Sequence, residues 1–379
     1  DVRHYYARGA THHASARVCV QTTYYGTYAR GKNTIIRIAE TLTTLQFLKY
    51  CAIPISWLYA LGVWVRNVLY DDHVLPSYTV NVPTIAIGNL AVGGTGKTPM
   101  TEYLIRLLAP KYKVAVLSRG YGRKTRGFRL ANAEDTAQTI GDEPMLIHMH
   151  FPDVPVAVCA DRVLGIKHLQ QIIPDLQCVI LDDAYQHRRL KAGFYILLTS
   201  YNKLYVHDHM LPWGTLRDLP AESVRANAVV VTKCPSKMQA IERRIVSNSL
   251  QLASYQQLYY SSIKYLPLQL SATPLLVTGI ANPAPLLEYM QQQYPCTQLL
   301  QFPDHHAFNK QDVAQIIQRA NQYECVVTTE KDYMRMLETP LVEVLGEKLR
   351  IISIQTDLGN DQEAFNRQIL LYVSENNHK

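Results

Sequence analysis

A glycine-rich loop that ends in Gly96, Lys97 and Thr98 constrains the fold of this chain more than any other part of its sequence. The loop follows the apolar run 84–87 and opens an amphipathic stretch over 97–108, which is the strand–loop–helix context of a phosphate-binding loop. Glycines in such a loop let backbone N–H groups turn toward phosphate oxygens, and the helix N-terminus adds partial positive charge. Lys97 would reach the β- and γ-phosphates of a nucleotide, and the Thr98 hydroxyl would bind Mg²⁺.

The alternative explanation of this loop is a glycine-rich turn that contains Gly-Lys-Thr by chance. Ala91 stands where the usual phosphate-loop pattern begins with glycine, which is a departure from that pattern. The flanking strand and helix nevertheless favour nucleotide binding. The predicted nucleotide-binding residues are Ala91, Val92, Gly93, Gly94, Thr95, Gly96, Lys97 and Thr98.

Short apolar runs alternate with amphipathic stretches from residue 82 onward, which predicts βαβ units and a mainly parallel sheet. A second alternation follows the stretch 255–265 and predicts another α/β lobe. The fold class is therefore α/β, with a P-loop NTPase-like core, helices flanking its mainly parallel sheet, and a second, smaller lobe. The predicted divisions are an unstructured tail over 1–39, an amphipathic membrane-associated helix over 40–78, a nucleotide-binding lobe over 79–265 and a C-terminal α/β lobe over 266–379.

Charge and cysteine content exclude several classes of function. The net charge is +7, but residues 1–39 hold six Lys or Arg residues and one acidic residue, so the tail carries most of it. No basic stripe interleaved with aromatic residues occurs in the rest of the chain, so we expect no nucleic-acid partner. Seven cysteines without a Cys-x-x-Cys pair argue against a disulfide framework and a structural zinc site. We assign the tail no fold, no function and no secretory signal.

The segment 45–70 is rich in aliphatic and aromatic residues but is interrupted by Lys49 and Pro54. Its apolar run is shorter than the roughly 20 residues that a membrane-spanning helix needs. Trp57 and Trp64 are seven positions apart and would share one helical face, as in helices that lie in the lipid headgroup zone. A helix packed on the protein core explains the pattern equally well.

Asp182 and Asp183 directly follow the apolar run 178–181. Carboxylates at the carboxyl end of a buried parallel strand lie where α/β sheets bind ligands, and a phosphate loop needs a carboxylate for its metal ion. A lone aspartate at this position is as often a helix N-cap. Two adjacent aspartates followed by Tyr-Gln-His-Arg favour a site.

The set of motifs resembles the tetraacyldisaccharide 4'-kinases, the lipid A 4'-kinases of Gram-negative envelope biogenesis. The similarity runs from about residue 53 to residue 333 and includes an alanine at the first position of the loop. The motifs are GNLAVGGTGKTP (88–99), SRGYGRKTRG (118–127), GDEP (141–144), ADR (160–162), LDDAYQHRRL (181–190), LPWGTLRD (211–218), FPDHH (302–306) and TTEKD (328–332). One departure is LPWGTLRD, where the family more often has a Leu-Pro-Ala-Gly-Pro-Leu-Arg-Glu type of run, so Trp213 could alter the lipid-facing wall.

The resemblance implies transfer of the γ-phosphate of ATP to the 4'-hydroxyl of an acylated glucosamine disaccharide 1-phosphate. It implies Mg²⁺ as cofactor and a peripheral, monotopic location on the cytoplasmic face of the inner membrane. Asp142 matches the family's candidate base and His305 the histidine that works with it. The implied metal-site acids are Glu143, Asp182 and Asp183, and the residues associated with the phosphorylated disaccharide are Tyr121, Arg162, His187 and Arg217.

The residues themselves leave some of these roles open. Asp142 opens a predicted helix and could be a plain N-cap, and His305 could be a loop residue that makes one hydrogen bond. A sugar hydroxyl nevertheless needs a proton acceptor as it attacks phosphorus, and an imidazole could orient that carboxylate. The basic loop formed by Arg119, Arg123, Lys124 and Arg126 suits an anionic headgroup, although solvated loops carry such charges more often.

Two other classes of protein compete with a kinase. A P-loop GTPase or metal-insertion chaperone would have a similar loop, but the run 231–235, Val-Thr-Lys-Cys-Pro, lacks the acid that recognises guanine. Clustered Cys and His ligands for a delivered metal are also missing from the sequence. A membrane-bound scaffold would leave the loop, the paired aspartates and GDEP unexplained.

Overall fold

The computed structural model describes residues 52–270, 273–304 and 306–377. Within these residues an eight-stranded sheet has the order β3-β4-β2-β5-β1-β6-β7-β8, and only the β3–β4 pair is antiparallel. Its strands are β1 (Thr84–Asn89), β2 (Val114–Ser118), β3 (Arg129–Leu130), β4 (Val156–Val158), β5 (Cys178–Leu181), β6 (Phe194–Ser200), β7 (Ala228–Thr232) and β8 (Gln257–Tyr260). The strand before the phosphate loop is therefore central, with β5 beside it.

A second, parallel sheet has the order β11-β10-β12-β13, and β9 pairs with β14 in an antiparallel ribbon. These strands are β9 (Ser262–Tyr265), β10 (Pro274–Thr278), β11 (Gln298–Gln301), β12 (Cys325–Thr329), β13 (Leu349–Ile352) and β14 (Ile354–Asp357). The predicted fold class, a P-loop NTPase-like α/β core with a smaller α/β lobe, is confirmed.

Helices cover both sheets. They are α1 (Ile53–Asp71), α2 (Lys97–Leu108), α3 (Ala137–Ile140), α4 (Asp142–His150), α5 (Arg162–Ile172), α6 (Ala240–Leu250), α7 (Ala284–Gln293), α8 (Lys310–Ala320), α9 (Glu330–Met336), α10 (Leu341–Leu345) and α11 (Gln362–Asn376). Short 3₁₀ turns occupy Tyr205–His207, Pro220–Arg225, Gly346–Lys348 and Gly359–Asp361. The predicted tail lies outside the described residues.

The C-terminal helix α11 returns to the first sheet. Phe365, Ile369 and Val373 are buried in the same cluster as Ile85 of β1, and the Tyr372 hydroxyl donates to the Thr84 carbonyl at 3.1 Å. The predicted boundary near residue 265 assigns this helix to the second lobe, whereas its apolar side chains pack in the core of the first.

Helix α1 is amphipathic, but the side chains that it buries are polar and its large apolar side chains are exposed. Its buried residues are the polar Ser56 and Asn67, while Trp57 is 70% exposed and Trp64 is 53% exposed. Ser56 donates to the Met210 carbonyl at 3.1 Å, and Asn67 donates to Asp218 at 2.9 Å. The polar side of α1 therefore contacts the protein and its apolar side faces outward. Among the described helices, none combines the length and hydropathy needed to cross a bilayer.

Candidate active site

The phosphate loop connects β1 to α2 at the carboxyl edge of the first sheet. Gly93 and Gly96 have φ values of +108° and +85°, a backbone region that side chains other than glycine rarely adopt. Gly88, just before the loop, lies so close to Tyr185 that a Cβ atom there would be 2.5 Å from the Tyr185 Cβ. The turn therefore requires glycine at positions 93 and 96, and the close approach of the loop after β5 requires glycine at position 88.

Neighbouring segments hold the loop in shape. The Asn89 side chain donates to the Thr95 hydroxyl at 2.8 Å, and the Thr232 hydroxyl donates to the Thr95 carbonyl at 2.9 Å. Val92 donates its N–H to the Thr215 carbonyl at 2.8 Å. Residues from β1, β7 and the 211–218 loop therefore all support the phosphate loop.

Asp182 and Asp183 lie beside this loop because β5 pairs with β1 in parallel. Asp182 is buried and accepts hydrogen bonds from Thr101 at 3.3 Å and from Ser118 at 3.2 Å. Burial, followed by the negative charges of Asp183 and Glu143, raises the pKa of Asp182 to about 6. The site therefore concentrates negative charge that a cation would stabilise.

Asp183 has the opposite electrostatic environment. Burial acts to raise its pKa, but hydrogen bonds from Arg217 and the charge of Lys97 outweigh burial and lower it. Arg217 donates to both Asp183 oxygens, once at 3.1 Å, and to Asn89 at 2.6 Å, while Lys97 Nζ lies 3.8 Å from Asp183. Arg217, predicted to contact the disaccharide, thus links Asp183 to Asn89 of β1.

Asp142 and Glu143 begin α4 and face helix α9 of the second lobe. Arg335 Nε lies 3.6 Å from Asp142 Oδ2, and Lys331 donates to Glu143 at 3.4 Å. Sequence reasoning did not predict these cations, although both belong to or follow the TTEKD motif. His305, the predicted partner of Asp142, lies outside the described residues.

The other predicted substrate residues differ in exposure. Tyr121 is 82% exposed on the basic loop, whereas Arg162 is only 2% exposed. Arg162 donates to the Cys159 carbonyl at 3.0 Å and, more weakly, to the carbonyls of Asp182 and Asp183. Arg162 therefore supports the backbone of the paired aspartates.

His187 lies in the loop that follows the paired aspartates. Its Nε2 is buried without a hydrogen-bond partner among the described residues. Burial, and then the charge of Arg162, lower the pKa of His187 to about 4, so its imidazole is neutral near pH 7.

The oxygen atoms available at this edge suit Mg²⁺. In the described part of the chain, no three His, Cys, Asp or Glu side chains converge as a metal cage. Mg²⁺ is normally held by one or two carboxylates, water and substrate phosphates, so a complete protein cage is not required. Buried Asp182, with its raised pKa, and the Thr98 hydroxyl at the start of α2 fit that pattern.

A model of the tetraacyldisaccharide-1-P 4'-kinase family, LpxK, matches residues 48–374. The chain belongs to this family. A tetraacyldisaccharide 4'-kinase of Bacteroides thetaiotaomicron is 45% identical over 355 residues, covering 85% of this chain and 93% of that protein. One from Flavobacterium johnsoniae is 44% identical over 347 residues, covering 88% and 99%.

A solved structure of the same family supports the fold. The crystal structure of LpxK from Aquifex aeolicus in complex with ATP has a TM-score of 0.67 and 25% sequence identity, and the match covers 86% of this chain and 99% of that one. The match to the tetraacyldisaccharide-1-P 4'-kinase family therefore spans nearly the whole described chain, including both sheets.

Proposed function

We propose that this protein transfers the γ-phosphate of ATP to the 4'-hydroxyl of a tetraacylated glucosamine disaccharide 1-phosphate. Membership of the tetraacyldisaccharide-1-P 4'-kinase family favours this activity over a GTPase switch or a metal-insertion chaperone. The geometric observation that carries the proposal is the position of Lys97, which opens α2 only 3.8 Å from Asp183. Phosphoryl transfer requires this combination of a cation, acidic groups and a backbone cradle.

The residues at the edge of the first sheet have separable roles in this proposal. Residues 91–98 bind the nucleotide, and Lys97 stabilises the negative charge on the phosphoryl group in the transition state of the transfer. Thr98, Glu143, Asp182 and Asp183 would hold Mg²⁺, and the ion would neutralise phosphate charge. The hydrogen bond from Arg217 lowers the pKa of Asp183 and so keeps its carboxylate ionised, as a ligand of a metal ion must be.

In this proposal, Asp142 accepts the proton of the attacking hydroxyl, and His305 orients the Asp142 carboxylate. Asp142 is about one-third exposed at the start of α4, so an acceptor can reach it. Tyr121, Arg162, His187 and Arg217 bind the disaccharide 1-phosphate, and the neutral His187 would make a hydrogen bond rather than an ion pair with it.

The acceptor lipid requires the enzyme to work at a membrane surface. We propose that α1 lies in the headgroup zone of the cytoplasmic face of the inner membrane, as a peripheral anchor. Its outward tryptophans support this placement, because amphipathic aromatic rings favour that zone. Tyr59 of α1 donates to the Arg217 carbonyl at 3.2 Å, so the anchor is joined directly to the site.

The test is transfer of label from γ-radiolabelled ATP to the tetraacylated disaccharide 1-phosphate in detergent micelles by the purified protein. We expect a labelled bisphosphate product, and no labelled lipid when the 4'-hydroxyl of the acceptor is blocked. GTP in place of ATP distinguishes the GTPase alternative. Lipid-independent hydrolysis of GTP without lipid phosphorylation would overturn the proposal.

A further inference from the structure

Lys233 occupies an unusual position at the mouth of the phosphate loop. It follows β7 with a φ of +58°, a backbone conformation that is strained for residues other than glycine and that concentrates at functional sites. Its Nζ lies 3.9 Å from where a Cβ atom on Gly94 would be. The preceding residue, Thr232, supports the loop from below through the Thr95 carbonyl.

The charge of Lys233 has no acidic partner nearby. Among the described residues, no carboxylate lies within ion-pair distance of its ammonium group. Although Lys233 is accessible to solvent, desolvation and then the positive charge of Lys331 lower the pKa of Lys233. Two lysines from different lobes are therefore close enough to repel one another beside a loop built for phosphate.

Lys331 is held on a rigid element. Its helix, α9, is fixed by the buried Asp332, which accepts hydrogen bonds from Thr278 at 2.7 Å and from the Gly279 N–H at 3.1 Å. The ammonium group of Lys331 lies 3.4 Å from Glu143, a predicted metal-site acid. Lys331 thus reaches from α9 of the second lobe to the start of α4 in the first.

We propose that Lys233 and Lys331 are phosphate-binding residues that clamp ATP from the two lobes. Lys233 contacts the β-phosphate above Gly94, and Lys331 moves from Glu143 to the γ-phosphate when ATP binds. Triphosphate between the lysines would remove their repulsion. The inference rests on the proposed function, because it takes ATP as the ligand of the loop.

Nucleotide affinity tests this clamp without the lipid acceptor. Equilibrium titration of the full-length protein with ATP and with ADP, each with Mg²⁺, gives dissociation constants for wild type, Lys233→Met and Lys331→Met. We expect Lys233→Met to weaken both nucleotides about tenfold, because a charge-assisted hydrogen bond to phosphate is lost. Lys331→Met should weaken ATP about tenfold and ADP less than about twofold. Lys237→Met, an exposed lysine nearby, is the matched control and should bind like wild type.

A purely structural role for the lysines would give a different result. Loss of an interlobe ion pair alone would change ATP and ADP affinity equally, and would lower the melting temperature without discriminating between nucleotides. Lys331→Arg should restore ATP binding, since it keeps the charge. Equal ATP affinity in wild type and both methionine variants overturns the clamp while leaving the kinase proposal intact. If Lys97→Ala also binds ATP like wild type, both proposals fail.

Discussion

At the scale of single residues, Lys97 carries the clearest prediction. Its ammonium group lies 3.8 Å from Asp183, and it opens the helix that follows the loop. Lys97→Ala should abolish lipid phosphorylation, because the cation that stabilises the transferring phosphoryl group is lost. The measurement is kcat, with circular dichroism to check the fold and the exposed Lys111→Ala as control. Retention of more than about a tenth of wild-type kcat, a loss of only ~1.4 kcal/mol, would contradict the assignment of the loop.

The proximity of Lys97 to the paired aspartates could be predicted from the sequence, because parallel strands bring their carboxyl ends to one edge. The contacts of Arg162 and Arg335 could not. Arg162 is charged, and from the sequence it would be expected at the surface or at a ligand. In the fold, its two terminal guanidinium nitrogens donate to backbone carbonyls, which come together only in the folded state. Arg335 meets Asp142 through the arrangement of two lobes, which no local pattern specifies.

At the scale of elements, α1 is expected to act as the membrane anchor. Trp57→Glu combined with Trp64→Glu should reduce binding to anionic lipid vesicles and raise the apparent KM for micellar lipid, because two outward aromatic rings are replaced by charges. Vesicle co-sedimentation and lipid titration are the measurements. Val344→Glu, at an exposed apolar residue of α10, is the control. Unchanged vesicle binding in the double variant would favour the packed-helix explanation of the segment.

Helix α4 also joins the lobes through His150, which lies 2.9 Å from Glu102 and 3.2 Å from Glu330. Hydrogen bonds to these carboxylates raise the pKa of His150 to about 10 from its ordinary 6.5. A raised histidine pKa stabilises the folded state fully below pH 6.5, and this contribution is lost as the pH rises toward 10. His150→Gln should lower the free energy of unfolding by about 2 kcal/mol at pH 6 and by much less near pH 10.

Urea denaturation of wild type and His150→Gln across this pH range measures the difference. His168→Gln, a histidine of α5 that stacks on Phe128 and has no carboxylate partner among the described residues, serves as the control. A difference in stability that stays constant from pH 6 to pH 10 would show that the charged form of His150 contributes nothing.

At the scale of the whole molecule, the sequence predicts both sheets but not how the C-terminal helix α11 packs against the first of them. The apolar runs 178–181 and 228–232 coincide with β5 and β7, because continuous apolar runs mark strands buried on both faces. The stretch 255–265, which the sequence places next to the boundary between the lobes without assigning it strands, forms β8 at the edge of the first sheet and β9 against β14. Likewise, the amphipathic pattern of α11 shows that one face is buried, but not on which sheet.

The last prediction concerns catalysis across the two lobes. Asp142 begins α4, and His305 follows β11 of the second sheet, so the pair can work only if the lobes meet at the site. That Asp142 is already contacted by Arg335 from α9 supports such a meeting. Asp142→Asn should reduce kcat about a hundredfold or more with little change in ATP affinity, because a general base acts in the transition state rather than in binding.

His305→Ala should reduce kcat to a similar extent, and the double variant should be barely worse than either single one, since residues that act as a unit are not additive. Single-turnover transfer with saturating ATP and lipid is the measurement, because it isolates the chemical step from product release. Asp153→Asn, an exposed carboxylate after α4, is the control and should transfer phosphate at the wild-type rate. Losses that multiply in the double variant would mean that Asp142 and His305 act independently, and the pairing of base and histidine across the lobes would then be wrong.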